Sequence, residues 1–268
     1  GKKLWGQHMK LVIDMQGAQT PQSKNRVVGR YTRQLVEAIL RQAGSHEIHL
    51  TFAERFREPF LDLRRDYHRL LPYSRMSAWH GMPPAKDEFD ASEFDVSWRY
   101  HLNCILREDV IRRKQPDYVL FSSIFEHADG VATSPSYVQP KIPFGAILYD
   151  LSPLKSSLGF LRDENISQWY ESKLQVLKQS RILLSISESS RHDAINFLGY
   201  DPDDIINISA GIDHGIFRPI PAGAKRCQIK SQIGISERFI FYYGGFDSHK
   251  NIDNLIISVA IASRNLAE

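Results

Sequence analysis

Between Arg181 and Phe217 the chain reads RILLSISESSRHDAINFLGYDPDDIINISAGIDHGIF, and few architectures accommodate such a run. Ile182 to Ile186 is short, apolar and β-prone, as a strand buried in a parallel sheet should be. Ser187, Glu188, Ser189 and Ser190 follow, with the composition of a helix N-cap and first turn. His192 to Leu198 continues the helix, with Ala194, Ile195 and Leu198 on one side. Gly199 suits the left-handed residue that ends a helix. Asp201-Pro202-Asp203-Asp204 is turn chemistry. Ile205 to Ile208 is a second strand, and Gly211-Ile212-Asp213 is a loop at its carboxyl end. The pattern predicts one β-α-β unit with polar and glycine residues at both strand tips, where open α/β sheets hold ligands.

The rest of the chain repeats that rhythm. Lys10 to Met15 reads as the first strand, and the polar loop GAQTPQSKNRVV follows it. Gly29 then opens a helix, GRYTRQLVEAILRQAG, with Tyr31, Leu35, Ala38 and Ile39 at helical spacing. Ile48 to Phe52 is the second strand. Lys24 and Arg26 in the loop, with Arg30 and Arg33 in the helix, suit a phosphate at a helix N-terminus; the alternative is a solvated basic surface. The dinucleotide fingerprint G-x-G-x-x-G is absent, which disfavours a nicotinamide-dependent oxidoreductase. Ala53 to Gln115 breaks the rhythm: it is mixed in charge, rich in aromatics and interrupted by Pro83-Pro84, and reads as an insertion with an irregular centre. Within it, Trp98 to Lys114 is expected to be a helix with Leu102, Ile105, Leu106, Val110 and Ile111 inward. Insertions at a strand's carboxyl end shape ligand sites, although these aromatics could equally make a satellite core.

Asp117 to Ser122 is the next strand, and its tip carries Glu126, His127 and Asp129 within four residues. Phe144 to Leu148 is another, ending in Tyr149 and Asp150. Polar groups at adjacent strand ends converge in space, and chemistry is built there. Glu164 to Ser180 is an amphipathic helix with Trp169, Leu174 and Leu177 among its apolar positions. Past Phe217, two prolines and a basic polar run read as a linker. Phe239 to Tyr243 is expected to be a strand, Gly244-Gly245 a turn, and Lys250-Asn251 the head of a helix running to about Leu266.

The domain plan follows. Met9 begins MKLVIDM, a native-looking start, so residues 1–8 read as an appended stretch. Residues 9–218 form an N-terminal Rossmann-like domain, 219–236 a linker, and 237–268 the opening of a second domain. One strand and one helix cannot close a domain, so a fragment of a longer protein is expected. The fold class is α/β: a doubly wound, mostly parallel sheet plus the first β-α unit of a truncated second Rossmann-like domain. A net charge of +3 gives no case for nucleic acid. Cys104 and Cys227 have no metal or redox spacing, as in a reduced cytosolic protein. No run approaches the ~18 apolar residues of a membrane span.

These residues resemble glycosyltransferase family 4, whose GT-B fold sets two Rossmann-like domains face to face. The family's N-terminal glycine ahead of a helix matches Gly29-Arg30-Tyr31. Its His-Asp-Leu-x-Pro segment matches Tyr149-Asp150-Leu151-Ser152-Pro153, and its Ser-x-x-Ser-x-x-Asp helix start matches Ser187 to Asp193. Its Asn-Gly-Val-Asp-x-x-x-Phe-x-Pro crossover matches Ala210 to Pro219, and its Gly-Gly-x-x-x-Arg-Lys-Asn donor loop matches Gly244 to Asn251. Ser122 to Glu126 is similar to bacterial O-antigen mannosyltransferases within the family. Three family residues are replaced: the histidine of His-Asp is Tyr149, the crossover asparagine is Ala210, and the donor-loop arginine is His249. The family's paired glutamates would lie beyond Glu268.

The resemblance implies a retaining transfer of a sugar, mannose favoured, from a nucleotide-sugar donor such as GDP-mannose to a polysaccharide or lipid-linked glycan. It implies no metal and no other cofactor, with cations and backbone N–H groups meeting the leaving diphosphate. Asp150, Glu126, His127 and Tyr149 are then the catalytic candidates. Gly29, Arg30, Ser187, Glu188, Gly211, Asp213, Gly245 and Lys250 are the substrate-binding candidates. Gly29 would let the backbone approach phosphates, and Lys250 would be the leading cation of the second domain. The setting would be cytoplasmic, at the inner membrane face for a lipid-linked acceptor. The competing expectation, raised by Tyr149 in place of histidine, is a non-catalytic sugar- or nucleotide-binding module on the same fold.

Overall fold

A computed structural model describes residues 8–82, 98–126, 131–133, 141–155, 161–221, 223–235, 239–246 and 250–266. The chain divides into two compact units, Gly1–Gly211 and Ile212–Glu268.

In the first unit short runs, most of them apolar and flanked by turn residues, become parallel strands. They are β1 (Lys10–Asp14), β2 (Glu47–Ala53), β3 (Met76–Trp79), β4 (Tyr118–Phe121), β5 (Phe144–Leu148), β6 (Ile182–Ser185) and β7 (Ile205–Asn207). Among the described residues they form a seven-stranded sheet in the order β3-β2-β1-β4-β5-β6-β7, and every pairing is parallel. Side chains alternate between its faces. Val12, Phe121, Ala146 and Leu148 join one core, whereas Ile13, Leu120 and Ile147 join the other. The first core is closed by α5 (Glu164–Leu177) and α6 (Glu188–Leu198) through Leu174, Leu177, Ala194 and Leu198. The second is closed by α1 (Val27–Arg41) and α2 (Arg57–Tyr67) through Val36, Leu40, Phe60 and Leu63. Fully burying one such aliphatic or aromatic side chain contributes about 2 kcal/mol.

The β6-α6-β7 stretch forms as its local chemistry requires. Ser187 caps α6 by accepting from the Ser190 amide at 3.1 Å, and Gly199 ends it in the left-handed region at φ 70°. Asp201 accepts from the Asp203 amide at 2.9 Å in the turn before β7. The reading of Ala53–Gln115 needs correction. Its first part is no insertion but continues the strand-helix rhythm, α2 and β3 completing the sheet's edge with β3 beside β2; the irregular centre read at Pro83-Pro84 lies outside the described residues. The helix α3 (Trp98–Arg112) forms as expected but turns a different face inward. Asn103, Cys104, Arg107, Glu108 and Ile111 are buried, while Ile105 is exposed. Polar residues occupy that face because they find partners there, Asn103 accepting from the Met82 amide at 2.7 Å and Glu108 from Arg112 at 2.6 Å. The first helix starts at Val27, so Gly29 lies within its first turn rather than at its opening.

The second unit contains α7 (Ala224–Gln232), inside the stretch read as a linker, and α8 (Ile252–Leu266). Phe239 to Tyr243 is not a strand here. A strand's backbone groups need a neighbouring strand, and among the described residues this unit has none. Phe241 and Tyr243 are left exposed. No described helix is long and apolar enough to cross a membrane.

Candidate functional site

Strand order reverses between β1 and β4, and ligands of open α/β sheets sit beyond the carboxyl ends at such a point. The loop after β1 crosses this point and is pinned on every side. Asp14 closes β1 at 2% exposure. The Arg107 Nε donates to its Oδ2 at 2.5 Å, and Nη2 lies 2.5 Å from the same oxygen. That guanidinium also lies 4.4 Å over the Phe121 ring. Gln16 gives Asp14 its backbone N–H at 2.9 Å and its Nε2 at 3.0 Å.

Two glutamine side chains then behave as peptide groups. Gln16 Nε2 donates to the Ala132 carbonyl at 2.7 Å and Gln16 Oε1 accepts from the Ala132 amide at 2.9 Å. Gln19 makes the same two-way pair with Ala53, at 3.1 and 2.9 Å. The Gly17 amide donates to Ser122 Oγ at 3.1 Å. Glu126, 5% exposed, accepts from the Thr20 hydroxyl and from Ser23 Oγ at 2.9 Å. Burial pushes its carboxyl above the usual range, against the hydrogen bonds from Thr20, Ser23 and Ser123. Glu126 therefore holds this loop from beneath.

Gly29 is needed for the loop's other contact. A Cβ there would lie 2.4 Å from the Ser23 carbonyl oxygen and 2.6 Å from Lys24 Cα. The Gly29 amide donates to that Ser23 oxygen at 3.0 Å. The close approach that glycine permits is thus to the loop's own backbone. Arg30 is exposed in the helix's first turn. Tyr149, at the tip of β5, donates to the Val28 carbonyl at 3.3 Å, lies 3.1 Å from Thr32 Oγ1, and packs edge-on against Tyr31. Burial raises its phenol well above the usual range.

Asp150 is exposed, and its Oδ1 accepts from the Ser152 amide at 2.9 Å as the short α4 (Ser152–Lys155) begins. The Ser-x-x-Ser-x-x-Asp residues tie α6 to this tip. Ser187 is the cap, Ser190 Oγ donates to the Tyr149 carbonyl at 2.6 Å, and Asp193 pairs with Lys155 at 2.7 Å. Glu188 is exposed and accepts from Arg191 at 3.0 Å and Asn207 at 3.1 Å. Those hydrogen bonds, Arg191's first, hold its carboxyl below the usual range. Gly211 is exposed at the end of the first unit.

So Gly29, Arg30, Glu126, Tyr149, Asp150, Ser187 and Glu188 are all held at the carboxyl edge of one sheet. His127 lies outside the described residues. The remaining candidates belong to the second unit. Asp213 accepts from the Gly215 amide at 2.7 Å, the Gly245 carbonyl accepts from Tyr242 at 2.8 Å, and Lys250 is exposed one residue before the turn into α8. Sequence reasoning missed Gln16, Gln19, Arg107 and Lys173. Lys173, on α5, is 4% exposed and donates to Tyr100 Oη at 2.6 Å and Thr133 Oγ1 at 2.7 Å. Burial pulls its ammonium down to about 8. The only signal for the glutamines was a long loop unusually rich in side chains that both donate and accept.

No family model matches the chain. The serotype-specific mannosyltransferase WbdA of Escherichia coli is 26% identical over 265 residues, which is 97% of this chain and 31% of that protein. A second WbdA from Escherichia coli is 24% identical over 236 residues, 86% of this chain and 28% of its own length. The chain is similar to bacterial mannosyltransferases. It spans less than a third of the length of these curated relatives. Among solved structures, Anabaena Alr3699/HepE in complex with UDP and glucose superposes with a TM-score of 0.49 at 13% identity, over 85% of this chain and 50% of that one. UDP-GlcNAc 2-epimerase from Neisseria meningitidis, bound to UDP-GlcNAc, gives 0.47 at 14% identity over 74% and 46%. Both likenesses are too distant to bear on function.

Proposed function

We propose that this chain is the acceptor side of a retaining glycosyltransferase that moves mannose from a nucleotide-sugar donor, such as GDP-mannose, to a growing surface glycan. The observation that carries this reading is the 26% identity to a mannosyltransferase over 97% of the chain. The geometry is compatible with it. Asp150 offers an exposed carboxylate at a strand tip beside the switch point, where it can accept a proton or a hydroxyl. The loop after β1 is held rigid, as a preorganised wall should be. Lys250 would meet the leaving diphosphate from the second unit, so residues 237–268 would open the donor-binding domain and the chain alone would be inactive. A lipid-linked acceptor would bring the protein to the inner face of the membrane.

Incubating the native polypeptide that carries this chain with GDP-mannose and a mannose-terminated oligosaccharide tests the reading. Extension of the oligosaccharide by one mannose is expected. Lys250→Ala is expected to weaken donor binding about tenfold, as loss of a charged hydrogen bond does. No transfer from any nucleotide sugar would sink the enzyme. A second reading, a binding module without turnover, is favoured by one observation: the Tyr149 hydroxyl is turned to α1 and engaged by Val28 and Thr32. Donor binding without transfer would select it.

A further inference from the structure

The tips of β2 and β3 carry two side chains in contact that the candidate site does not use. Ala53 and Trp79 are the last residues in register between these strands. The Glu54 amide adds one more bond, to the Trp79 carbonyl at 3.1 Å. Glu54 and His80 follow as the next pair, side by side just past the carboxyl ends. Their side chains meet, His80 Nδ1 against Glu54 Oε2. A carboxylate only accepts, so Nδ1 carries the proton and Nε2 is left over. Glu54 Oε1 and His80 Nε2 have no partner among the described residues.

The fold does not need this pair to hold the tips. Gln19, from the loop after β1, already fastens Ala53 through its two-way pair. Asn103 of α3 fastens the exit of β3, accepting from the Met82 amide at 2.7 Å. The side chains of His80 and Glu54 are 79% and 33% exposed, and an ion pair as open as this adds little to stability. What the pair does provide is a carboxylate oxygen and an imidazole nitrogen, adjacent and open to solvent, on the edge of the sheet where ligands sit.

The placement suits a sugar further along the acceptor than the one that reacts. Strands lie about 4.8 Å apart, so the tips of β2 and β3 are roughly 7 and 12 Å from the switch point between β1 and β4. Gln19 joins them to the loop that walls the candidate site. The half-buried rings of Phe56 and Tyr100 pack on the cluster of Ala53 and Trp79. They set apolar surface beside the polar pair, the mixture found in small-molecule sites. Each hydroxyl of a sugar both donates and accepts, so two neighbouring ones can meet an acceptor and an imidazole nitrogen together.

We propose that Glu54 and His80 form an acceptor subsite for a sugar unit beyond the reacting one, Glu54 Oε1 accepting from one hydroxyl and His80 Nε2 bonding its neighbour. The subsite rests on the glycosyltransferase reading and makes its acceptor side sensitive to glycan length, through two residues that none of the matched motifs contains.

The test uses the native polypeptide that carries this chain, with GDP-mannose as donor and two acceptors, methyl α-mannoside and a mannose-terminated trisaccharide. The wild type should show the lower KM for the trisaccharide. His80→Phe keeps a ring and Glu54→Leu keeps the bulk. Each is expected to shrink the ratio of the two KM values about fivefold, the usual effect of one hydrogen bond. A general structural defect would alter both KM values alike and leave the ratio as it was. The melting temperature of either variant should fall by less than about 3 °C; a larger fall would overturn the subsite, because the pair would then be holding the tips. If the native protein transfers mannose but takes both acceptors equally well, or if His80→Phe keeps the wild-type ratio, the subsite is refuted while the enzyme stands. If the native protein extends neither acceptor from any nucleotide sugar, the glycosyltransferase reading fails and the subsite fails with it.

Discussion

Replacing Arg107 with Met would keep most of the side chain's aliphatic volume and leave Asp14 buried without its cation. Both groups are nearly inaccessible, at 0% and 2% exposure, and they meet at 2.5 Å. Removing one partner of a buried ion pair costs about 3–5 kcal/mol, mostly because the other charge is stranded. Asp14 would keep the backbone and Nε2 donors of Gln16, which places the expectation at the lower end, about 3 kcal/mol. That is about two decades in the unfolding equilibrium. With a urea slope of about 2–3 kcal/mol/M, the midpoint should fall by roughly 1–1.5 M. Tryptophan emission can follow the transition, since Trp79 is 1% exposed in the cluster that contains Cys104 of α3. The double variant Asp14→Asn/Arg107→Met removes both charges and should cost only about 1 kcal/mol, since the loss is then of neutral hydrogen bonds. A midpoint shift under about 0.3 M for Arg107→Met would refute the reasoning, as would a double variant that unfolds as early as the single one.

Three further outcomes follow from the same contacts. Lys173 is charged at neutral pH at a cost, because its folded value of about 8 lies below the unfolded one. The unfolded chain binds the extra proton between the two, so wild-type stability should rise relative to Lys173→Met from pH 8 to about 10.5, by at most about 3 kcal/mol; parallel pH curves for the two proteins would count against it. For Glu126 the sign is reversed, because its folded value is raised. Wild type should lose stability relative to Glu126→Gln as pH climbs upward from the ordinary carboxylate range, and denaturation at a series of pH values checks this. Gly29→Ala should destabilise by about 2 kcal/mol despite alanine's better helix propensity, since the new Cβ meets backbone at 2.4 Å; an unchanged melting temperature would show that the loop can retreat freely.

Which parts of this fold were legible depends on how far each signal travels along the chain. The β6-α6-β7 stretch was read correctly because its devices are local: Ser187 bonds a residue three positions away and Gly199 needs only its own φ. α2 was missed because REPFLDLRRDY shows only Phe60, Leu63 and Tyr67 as a buried face, against six charges. β3 was missed because four residues carry too little pattern. α3 was found, but its inward face was misjudged. Apolar spacing cannot reveal that Arg107 is buried against a residue 93 positions earlier. The same limit applies to the site. Glu126 and Asp150 stood out as carboxylates at strand tips, yet what sets Glu126 apart is remote, with Thr20 lying 106 positions away, whereas Asp150 bonds the amide two residues on.

The paired glutamines have one more consequence. Ala132 belongs to no strand, yet its amide is received by Gln16 Oε1 in a two-way pair like that between neighbouring peptides. Its proton should therefore exchange with deuterated solvent on the timescale of the sheet's interior rather than that of a surface loop. Protection from exchange would then extend past the last ladder residue of β4, and the cooperative folding unit would include Ala132, outside the sheet.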